Sequence, residues 1–379
     1  MDFRWSPAQS ERYDRVLGQA RERFPSASGI GTDAHRADGW KHLADMGVHG
    51  WCVPTEYGGE ALGALDTARL VEALGRGCAD TGLVFGASAQ LFSCTVPILH
   101  FGDAALRARL LPAICAGELV VGNAMTENEA GSDVSRLSVT ARRVPDGWIL
   151  DGEKSFVSNG PVADAFVTYA TTDPGAGHLG LSAFVIERQS AGVGVGPRHD
   201  KMGLAGCPAG PLRLTGCFVP DAQVLGTPGQ GAAIFQTGMA WERTCLFAGY
   251  LGLADRILDR VTDHVTHRRQ FGRPLSRFQA VSHRLADMAV QVESARLLLY
   301  RACDEIDRGQ PAALSIAMAK LAVSEHVLAA ALDAVRLFGA RGYLRDEGIE
   351  ATLRDTVPSV IFSGTSDIQR EIIARELKL

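Results

Sequence analysis

A carboxylate set in the middle of an apolar stripe is the first feature of this sequence with a chemical consequence. In Met239-Ala-Trp-Glu-Arg-Thr-Cys-Leu-Phe-Ala-Gly-Tyr-Leu-Gly252, extended to Val261, the residues Met239, Leu246, Tyr250, Leu253, Ile257 and Val261 recur at three- and four-residue spacing. That spacing puts them on one face of a helix, which predicts a buried face. Glu242 follows Met239 by three residues and precedes Leu246 by four, so it shares the inward face. Burial disfavours the ionised form and raises a carboxyl pKa toward roughly 6 to 7, where it is an effective general base near neutral pH. The competing reading is a structural Glu paired with an Arg from a neighbouring helix.

Three further segments combine glycine with hydroxyls in otherwise apolar surroundings. Ala124-Met-Thr-Glu-Asn-Glu-Ala-Gly-Ser-Asp133 offers Thr126, Ser132 and the amides around Gly131 to a polar heterocycle edge or a phosphate. Gly152-Glu-Lys-Ser-Phe-Val-Ser-Asn-Gly160 offers Phe156 for stacking and Ser158 for a hydrogen bond to a flat ring. Ile361-Phe-Ser-Gly-Thr-Ser-Asp-Ile-Gln369 is a Gly turn entering the final helix, whose N-terminus favours anions. Each of these, taken alone, is equally a capped turn. The glycines of Gly192 to Gly196, Gly229 to Gly231 and Gly339 to Gly342 lack the strand-turn-helix context of a dinucleotide fingerprint. No nucleophile elbow or P-loop occurs.

The pattern around these segments predicts an α+β chain of three domains. From Ser6 to Gly122 short helices alternate with Gly and Pro signals, with Asp66 as the expected cap of the helix carrying Leu70, Ala73 and Leu74. The small residues between Gly82 and Ser93 suit close packing. Residues 1–119 thus form an N-terminal α-helical domain. Between 120 and 228 the period shifts: Ser138 to Arg142, Trp148 to Leu150, Ala165 to Ala170, Leu181 to Ile186 and Leu212 to Leu214 read as strands of a middle antiparallel β domain. Residues 229–379 return to helix. Long helices are expected from about Ser276 to Ile306, from Pro311 to Phe338 with a stripe of Leu314, Met318, Leu321, Leu328, Leu332 and Val335, and from Ser366 to Leu377. Together with the helix of Glu242 they make a C-terminal four-helix bundle.

Composition narrows the function classes. With 379 residues, 46% hydrophobic and 21% charged, the chain can bury a sizeable core, and a net charge of -5 leaves no global positive field for nucleic acid. The N-terminal Met-Asp-Phe-Arg-Trp-Ser-Pro lacks the apolar core of a signal peptide, and no apolar run is expected to reach the roughly 18 residues of a membrane span. A cytoplasmic protein without a membrane partner is the expectation. The eight cysteines never form a C-x-x-C pair and read as reduced core residues. His264 and His267 are followed by Arg268 and Arg269, which predicts a solvated face and no metal.

Taken in order, the motifs are specific. Tyr57-Gly-Gly59, Ala124-Met-Thr-Glu to Gly131-Ser-Asp133, Gly152-x-Lys154 to Ser158-Asn-Gly160, Lys201-Met-Gly203, Arg268-Arg-Gln-Phe-Gly-Arg-Pro274 with Gln279, Gly339-x-x-Gly-Tyr343 and Gly364-Thr-Ser366 resemble the acyl-CoA dehydrogenase family over essentially the whole chain. The resemblance implies FAD held between the domains, usually in a homotetramer. By position it implies that Met125, Thr126, Gly131 and Ser132 meet the flavin and its ribityl chain and that Phe156 and Ser158 lie beside the isoalloxazine. Arg268, Phe271 and Gln279 would reach the pyrophosphate and adenine side of FAD in a neighbouring subunit, while Arg336, Gly339, Thr365 and Asp367 would complete the pocket. Most family members carry the catalytic Glu directly before the last Gly-Thr, where this chain has Ser363. A minority, including isovaleryl-type enzymes, place it before an Arg in the first bundle helix, where this chain has Glu242-Arg243. Glu242 is therefore the expected base, with Arg243, Ser363 and Gly364 at the substrate. Arg336 stands where Gln is usual, and Phe156 where Trp is usual.

Trp241-Glu-Arg-Thr-Cys-Leu-Phe-Ala, Glu293 to Cys303 and the chain's ending look like those of the enzymes that oxidise proline held as a thioester on a peptidyl carrier protein to pyrrole-2-carboxyl thioester. That resemblance implies a phosphopantetheine-linked prolyl group on the carrier as substrate, in natural-product biosynthesis. The alternative is a dehydrogenase for a short or branched acyl-CoA. The motifs do not identify the electron acceptor, an electron-transferring flavoprotein or oxygen.

Overall fold

The computed structural model describes residues 5–25 and 31–379. Met1 to Arg4, read above for a leader, and residues 26–30 lie outside them. The first region is helical: α1 (Pro7–Arg23), α2 (Asp33–Asp45), α3 (Ala64–Gly77), α4 (Thr81–Gln90), α5 (Val96–Phe101) and α6 (Ala104–Cys115). Local chemistry starts most of them. Ser6 and Gln9 form a reciprocal capping box on α1, while Asp80 and Asp103 cap α4 and α6 through the amides of Leu83 and Leu106. The cap of α3 differs from the sequence reading. Asp66 lies inside the first turn and accepts from Gln9 Nε2 at 2.8 Å, and the cap is a distant carboxylate, Asp307, which accepts from the amides of Ala64 (2.5 Å) and Leu65 (3.0 Å). Gly63 leaves room for it, because a Cβ there would sit 2.7 Å from that carboxylate and displace it.

The middle region holds β1 (Val121–Ala124), β2 (Thr140–Val144), β3 (Gly147–Ser158), β4 (Ala165–Thr171), β5 (Leu181–Glu187), β6 (Val193–Val195), β7 (Ala209–Pro220) and β8 (Val224–Leu225). They form one sheet in the order β6-β7-β3-β1-β4-β5-β8, with β2 pairing β3 and β4. The pairing is antiparallel as expected except where β1 and a single residue pair of β2 lie parallel to β4. β1 escaped the sequence reading because Val-Gly-Asn-Ala has neither alternation nor β-branched density; it is a strand because two neighbours hold it. β4 is buried from Ala165 to Ala170 on both faces, and on one of them Phe235 packs on Tyr169 with ring centroids 5.6 Å apart.

The last region contains α7 (Gly231–Trp241), α8 (Phe247–His267), a hairpin of β9 (Arg269–Gln270) and β10 (Arg273–Pro274), α9 (Gln279–Asp307), α10 (Ala313–Phe338), α11 (Ala340–Tyr343), α12 (Ile349–Thr356) and α13 (Ser366–Glu376). The stripe expected inward on α10 is a correction. Ile316, Ala319, Lys320, Val323, Val327, Ala331 and Ala334 are buried, whereas the Leu314-to-Val335 stripe is half-buried and Leu332 is 40% exposed. α10 is apolar around most of its girth, so periodicity left two faces open, and the one rich in alanine allows the closer approach to its neighbours. Two helical runs, Thr81–Phe101 and α10, are long and apolar enough to cross a membrane, contrary to the sequence expectation; the first is 89% buried within the fold.

Candidate active site

Two π-helical turns build the centre. One, Leu91–Thr95, interrupts the run from α4 to α5; the other, Glu242–Leu246, interrupts the run from α7 to α8. A π turn adds a residue to the helix and shifts the direction of its side chains, and such turns concentrate at functional sites. The two turns pack together, with the rings of Phe92 and Trp241 stacked at 6.2 Å. Glu242, 7% exposed and bracketed by the buried Met239 and Leu246, meets two hydroxyls. Ser93 Oγ donates to its Oε2 and Ser363 Oγ to its Oε1. No ion pair reaches Glu242 among the described residues, and the adjacent Arg243 donates Nε to the Ser363 carbonyl at 2.8 Å instead. The structural ion-pair reading of Glu242 therefore fails.

Burial pushes the Glu242 carboxyl up to about 7, against the Ser363 hydroxyl and the charges of Arg243 and Lys320, which favour the ionised form. Lys320 is fully buried, donates to the Ser359 carbonyl at 2.9 Å, lies 5.2 Å over the Phe247 ring, and is drawn down to about 8 by burial. The turn that presents Ser363 is held in an uncommon conformation, with φ of 56° at Ser363 and 87° at Gly364. Gln369 Nε2 reinforces it by donating to the carbonyls of Ser363 (3.3 Å) and Gly364 (3.1 Å). Among the described residues the Gly364 N–H has no acceptor.

Glu242 opens onto a cavity of about 1220 Å³ between the sheet and the bundle. Met125, Thr126, Gly131, Ser132, Phe156 and Ser158 line it from the sheet side, and Arg243, Ser363, Gly364 and Thr365 from the bundle side. Phe156 is 60% exposed because β3 bulges against β7 between Lys154 and Val157 and Phe156 takes φ 55°, which turns its ring outward. Beneath the Met125-Thr126 segment lies a buried ion pair. Lys154 Nζ meets Glu127 Oε1 at 2.7 Å and the Met125 carbonyl at 3.1 Å, and Glu127 also accepts from the amides of Ser138 and Val139. Burial draws Lys154 down to about 8 while the ammonium holds Glu127 below the ordinary carboxylate range, so both are charged at neutral pH. A slot with apolar walls and hydroxyls at Thr126, Ser132 and Ser158 suits a flat, polar-edged ring stacked beside an acyl group.

The other expected residues lie elsewhere. Arg268 lines a separate depression of about 680 Å³ with His264, Phe338 and Arg341, where His264 stacks on Phe338 at 4.0 Å. Phe271, 93% exposed, tips the β9–β10 hairpin, and Gln279 begins α9. Arg336 and Gly339, expected to complete the pocket, do not line this cavity within the single chain: Arg336 pairs with Asp333 at 3.0 Å at the end of α10, and Gly339 terminates that helix. Asp367 also lies outside it, in the first turn of α13 with its carboxylate outward, paired with Arg370. The eight cysteines are free and buried, and no cluster able to hold a metal ion occurs among the described residues. Ser93, Gln369 and Lys320 were missed. Ser93 had a signal, a hydroxyl within an apolar run, but it reads equally as a packing residue.

Burial raises the pKa of the base, and both hydroxyls donate to the carboxylate oxygens that carry its charge. Ser93→Ala removes a donor to the ionised form, and a hydrogen bond to a charged group is worth about 1.5–3 kcal/mol. The acidic limb of the rate of flavin reduction against pH should move up by about one unit or more, with the rate recovered at higher pH. Ser93→Thr should keep the wild-type profile; an unshifted profile in the alanine variant would assign Ser93 to packing alone.

Comparison with known proteins agrees along the entire chain. The sequence models of the acyl-CoA dehydrogenase N-terminal, middle and C-terminal domains match residues 9–118, 122–217 and 229–378. An L-prolyl-[peptidyl-carrier protein] dehydrogenase of Pseudomonas fluorescens is 48% identical, with 100% of both chains covered. Among solved structures, "PigA with FAD and proline" superposes with a TM-score of 0.96 at 40% identity over 100% of both chains. The prolyl acyl carrier protein oxidase AnaB gives 0.96 at 36% identity, covering 99% of this chain and 100% of that one. By sequence over all three regions and by superposition, the chain belongs to the acyl-CoA dehydrogenase family.

Proposed function

We propose that this protein is an FAD-dependent dehydrogenase that oxidises L-prolyl thioester on a peptidyl carrier protein to the pyrrole-2-carboxyl thioester. The observation that carries the reading is Glu242, a buried carboxylate with a pKa of about 7, held by two hydroxyls at the wall of a cavity whose opposite side carries Phe156 and Ser158. Full-length likeness to proteins named for prolyl-carrier oxidation supports the substrate.

The residues divide the work as follows. Ionised Glu242 accepts the proton on Cα, and Ser93 and Ser363 fix the orientation of its carboxylate. The free N–H of Gly364 is the donor for the thioester oxygen as negative charge develops there. Thr126, Ser132, Phe156 and Ser158 hold and orient the ring system of FAD, which when bound takes up the hydride leaving Cβ. One round removes one proton and one hydride and leaves a pyrroline thioester; a second, favoured by aromatisation and possible once an external electron acceptor has withdrawn the first electron pair, completes the loss of four hydrogens. The carrier's phosphopantetheine arm enters the cavity, and its acidic surface calls for Lys and Arg at the rim.

We also infer a homotetramer in the cytoplasm. Phe271 and the outer faces of α9 and α10, with Val290 and Leu332 exposed, are apolar surface that a second copy would cover, and the buried free cysteines suit a reducing compartment. Anaerobic incubation with prolyl-loaded carrier protein tests the reaction. Flavin bleaching and a thioester lighter by two hydrogens for each flavin reduced are expected in mass spectrometry, and by four once an added electron acceptor reoxidises the flavin. Bleaching by isovaleryl-CoA and none by the prolyl carrier would overturn the substrate, and no bleaching by any thioester would overturn the activity.

A further inference from the structure

Buried polar side-chain atoms find partners in folded proteins, and the exceptions ask for a ligand or a functional reason. Among the described residues several such atoms lack a partner, but one alone belongs to a residue lining the active-site cavity: Oδ1 of Asn123. Its amide nitrogen has no partner either, and it is not sealed from the cavity. Asn123 is therefore a hydrogen-bonding group with nothing in the protein to bond.

Its position is informative. Asn123 lies on β1 directly opposite Ser158 of β3, and Ser158 also lines the cavity. On its other side β1 packs against the Leu91–Thr95 turn, with Cys94 Sγ 3.7 Å from the Val121 carbonyl, and that turn delivers Ser93 to Glu242. The unpaired amide thus lines the same cavity as Ser93, Glu242 and Ser158, on a strand that touches both the turn carrying Ser93 and the strand carrying Ser158.

We propose that Asn123 is a specificity-determining residue that hydrogen-bonds the ring nitrogen of the substrate, an inference that rests on the prolyl reading above. In a prolyl thioester the nitrogen is bonded to Cα, so a group that fixes the nitrogen also fixes the carbon that loses its proton to Glu242. The NH₂ is the end of the carboxamide left accessible, and it donates to the lone pair of the neutral amine. A hydrocarbon acyl chain leaves both ends of the amide unpaired. Sites built to bond a substrate N–H discriminate strongly against analogues that lack it.

The test is a cycle between one side chain and one substrate atom. Flavin reduction of the holoenzyme is followed anaerobically with prolyl carrier protein and with the cyclopentanecarbonyl carrier, in which CH₂ replaces N–H, for wild type, Asn123→Ala and Asn123→Leu. The wild-type preference for prolyl is expected to fall about 100-fold in both variants, with flavin content and unfolding temperature as checks on folding. Two variants of opposite volume separate the lost hydrogen bond from a packing effect. Equal losses with both substrates, or no loss with either, would overturn the proposal while leaving the prolyl reading intact. A wild type that prolyl carrier does not reduce would overturn both.

Discussion

Glu242→Gln is expected to lower the rate of flavin reduction by prolyl thioester roughly 10²- to 10⁴-fold, the usual contribution of a positioned base, while the protein still purifies with bound flavin. Gln is nearly isosteric and retains an acceptor for one of the two serine hydroxyls, so the cavity and its cofactor contacts should survive. Stability supplies an independent check. The folded-state pKa of about 7 lies above that of an exposed carboxyl. Below about pH 4.5 the group is protonated in both states and its burial is not penalised. As pH rises through 7 the unfolded chain is already ionised, and the folded state loses up to about 3 kcal/mol by linkage. The Gln variant escapes that loss, so its advantage over wild type in denaturant unfolding should grow between about pH 5 and 8. Unimpaired flavin reduction at any pH, or a stability difference independent of pH, would contradict the role assigned to this side chain.

Lys154→Met is expected to be the most damaging change away from the base. It leaves Glu127 ionised and buried with its cation gone, and breaking a buried pair in this way costs about 3–5 kcal/mol. Glu127 also accepts from the Ser138 and Val139 amides and Lys154 donates to the Met125 carbonyl, so the loss falls on the segment that presents Met125 and Thr126 to the cavity. Flavin should therefore dissociate during gel filtration, and the denaturation midpoint should drop. The double variant Lys154→Met with Glu127→Gln removes the stranded charge but keeps an acceptor for the two amides, and it should recover part of the stability. If the double variant were no more stable than the single one, the damage would lie in lost packing and not in the unpaired carboxylate.

How much of this protein could be read from its residues depends on the range of the physics involved. The helix carrying Glu242, the inward direction of that carboxylate, the strands from β4 to β5, the last helix and the three polar Gly segments are properties of neighbours within a turn or two. Periodicity and capping chemistry report on those directly. The same reasoning found the Phe156 and Ser158 segment but not the bulge that turns Phe156 outward, because a bulge is set by the register against β7.

The tertiary structure alone decided the rest. Ser93 reaches Glu242 across 149 residues of sequence, Asp307 displaces Asp66 as the cap of α3, and Asn123 comes to lie opposite Ser158 because β1 is clasped between β3 and β4. On α10 the alanine face won burial over the leucine face, since close approach of helix backbones favours small side chains where both faces are apolar. Local pattern determines which residues can face inward. What they meet there is fixed by contacts between segments far apart in the chain, and no spacing within one segment encodes them.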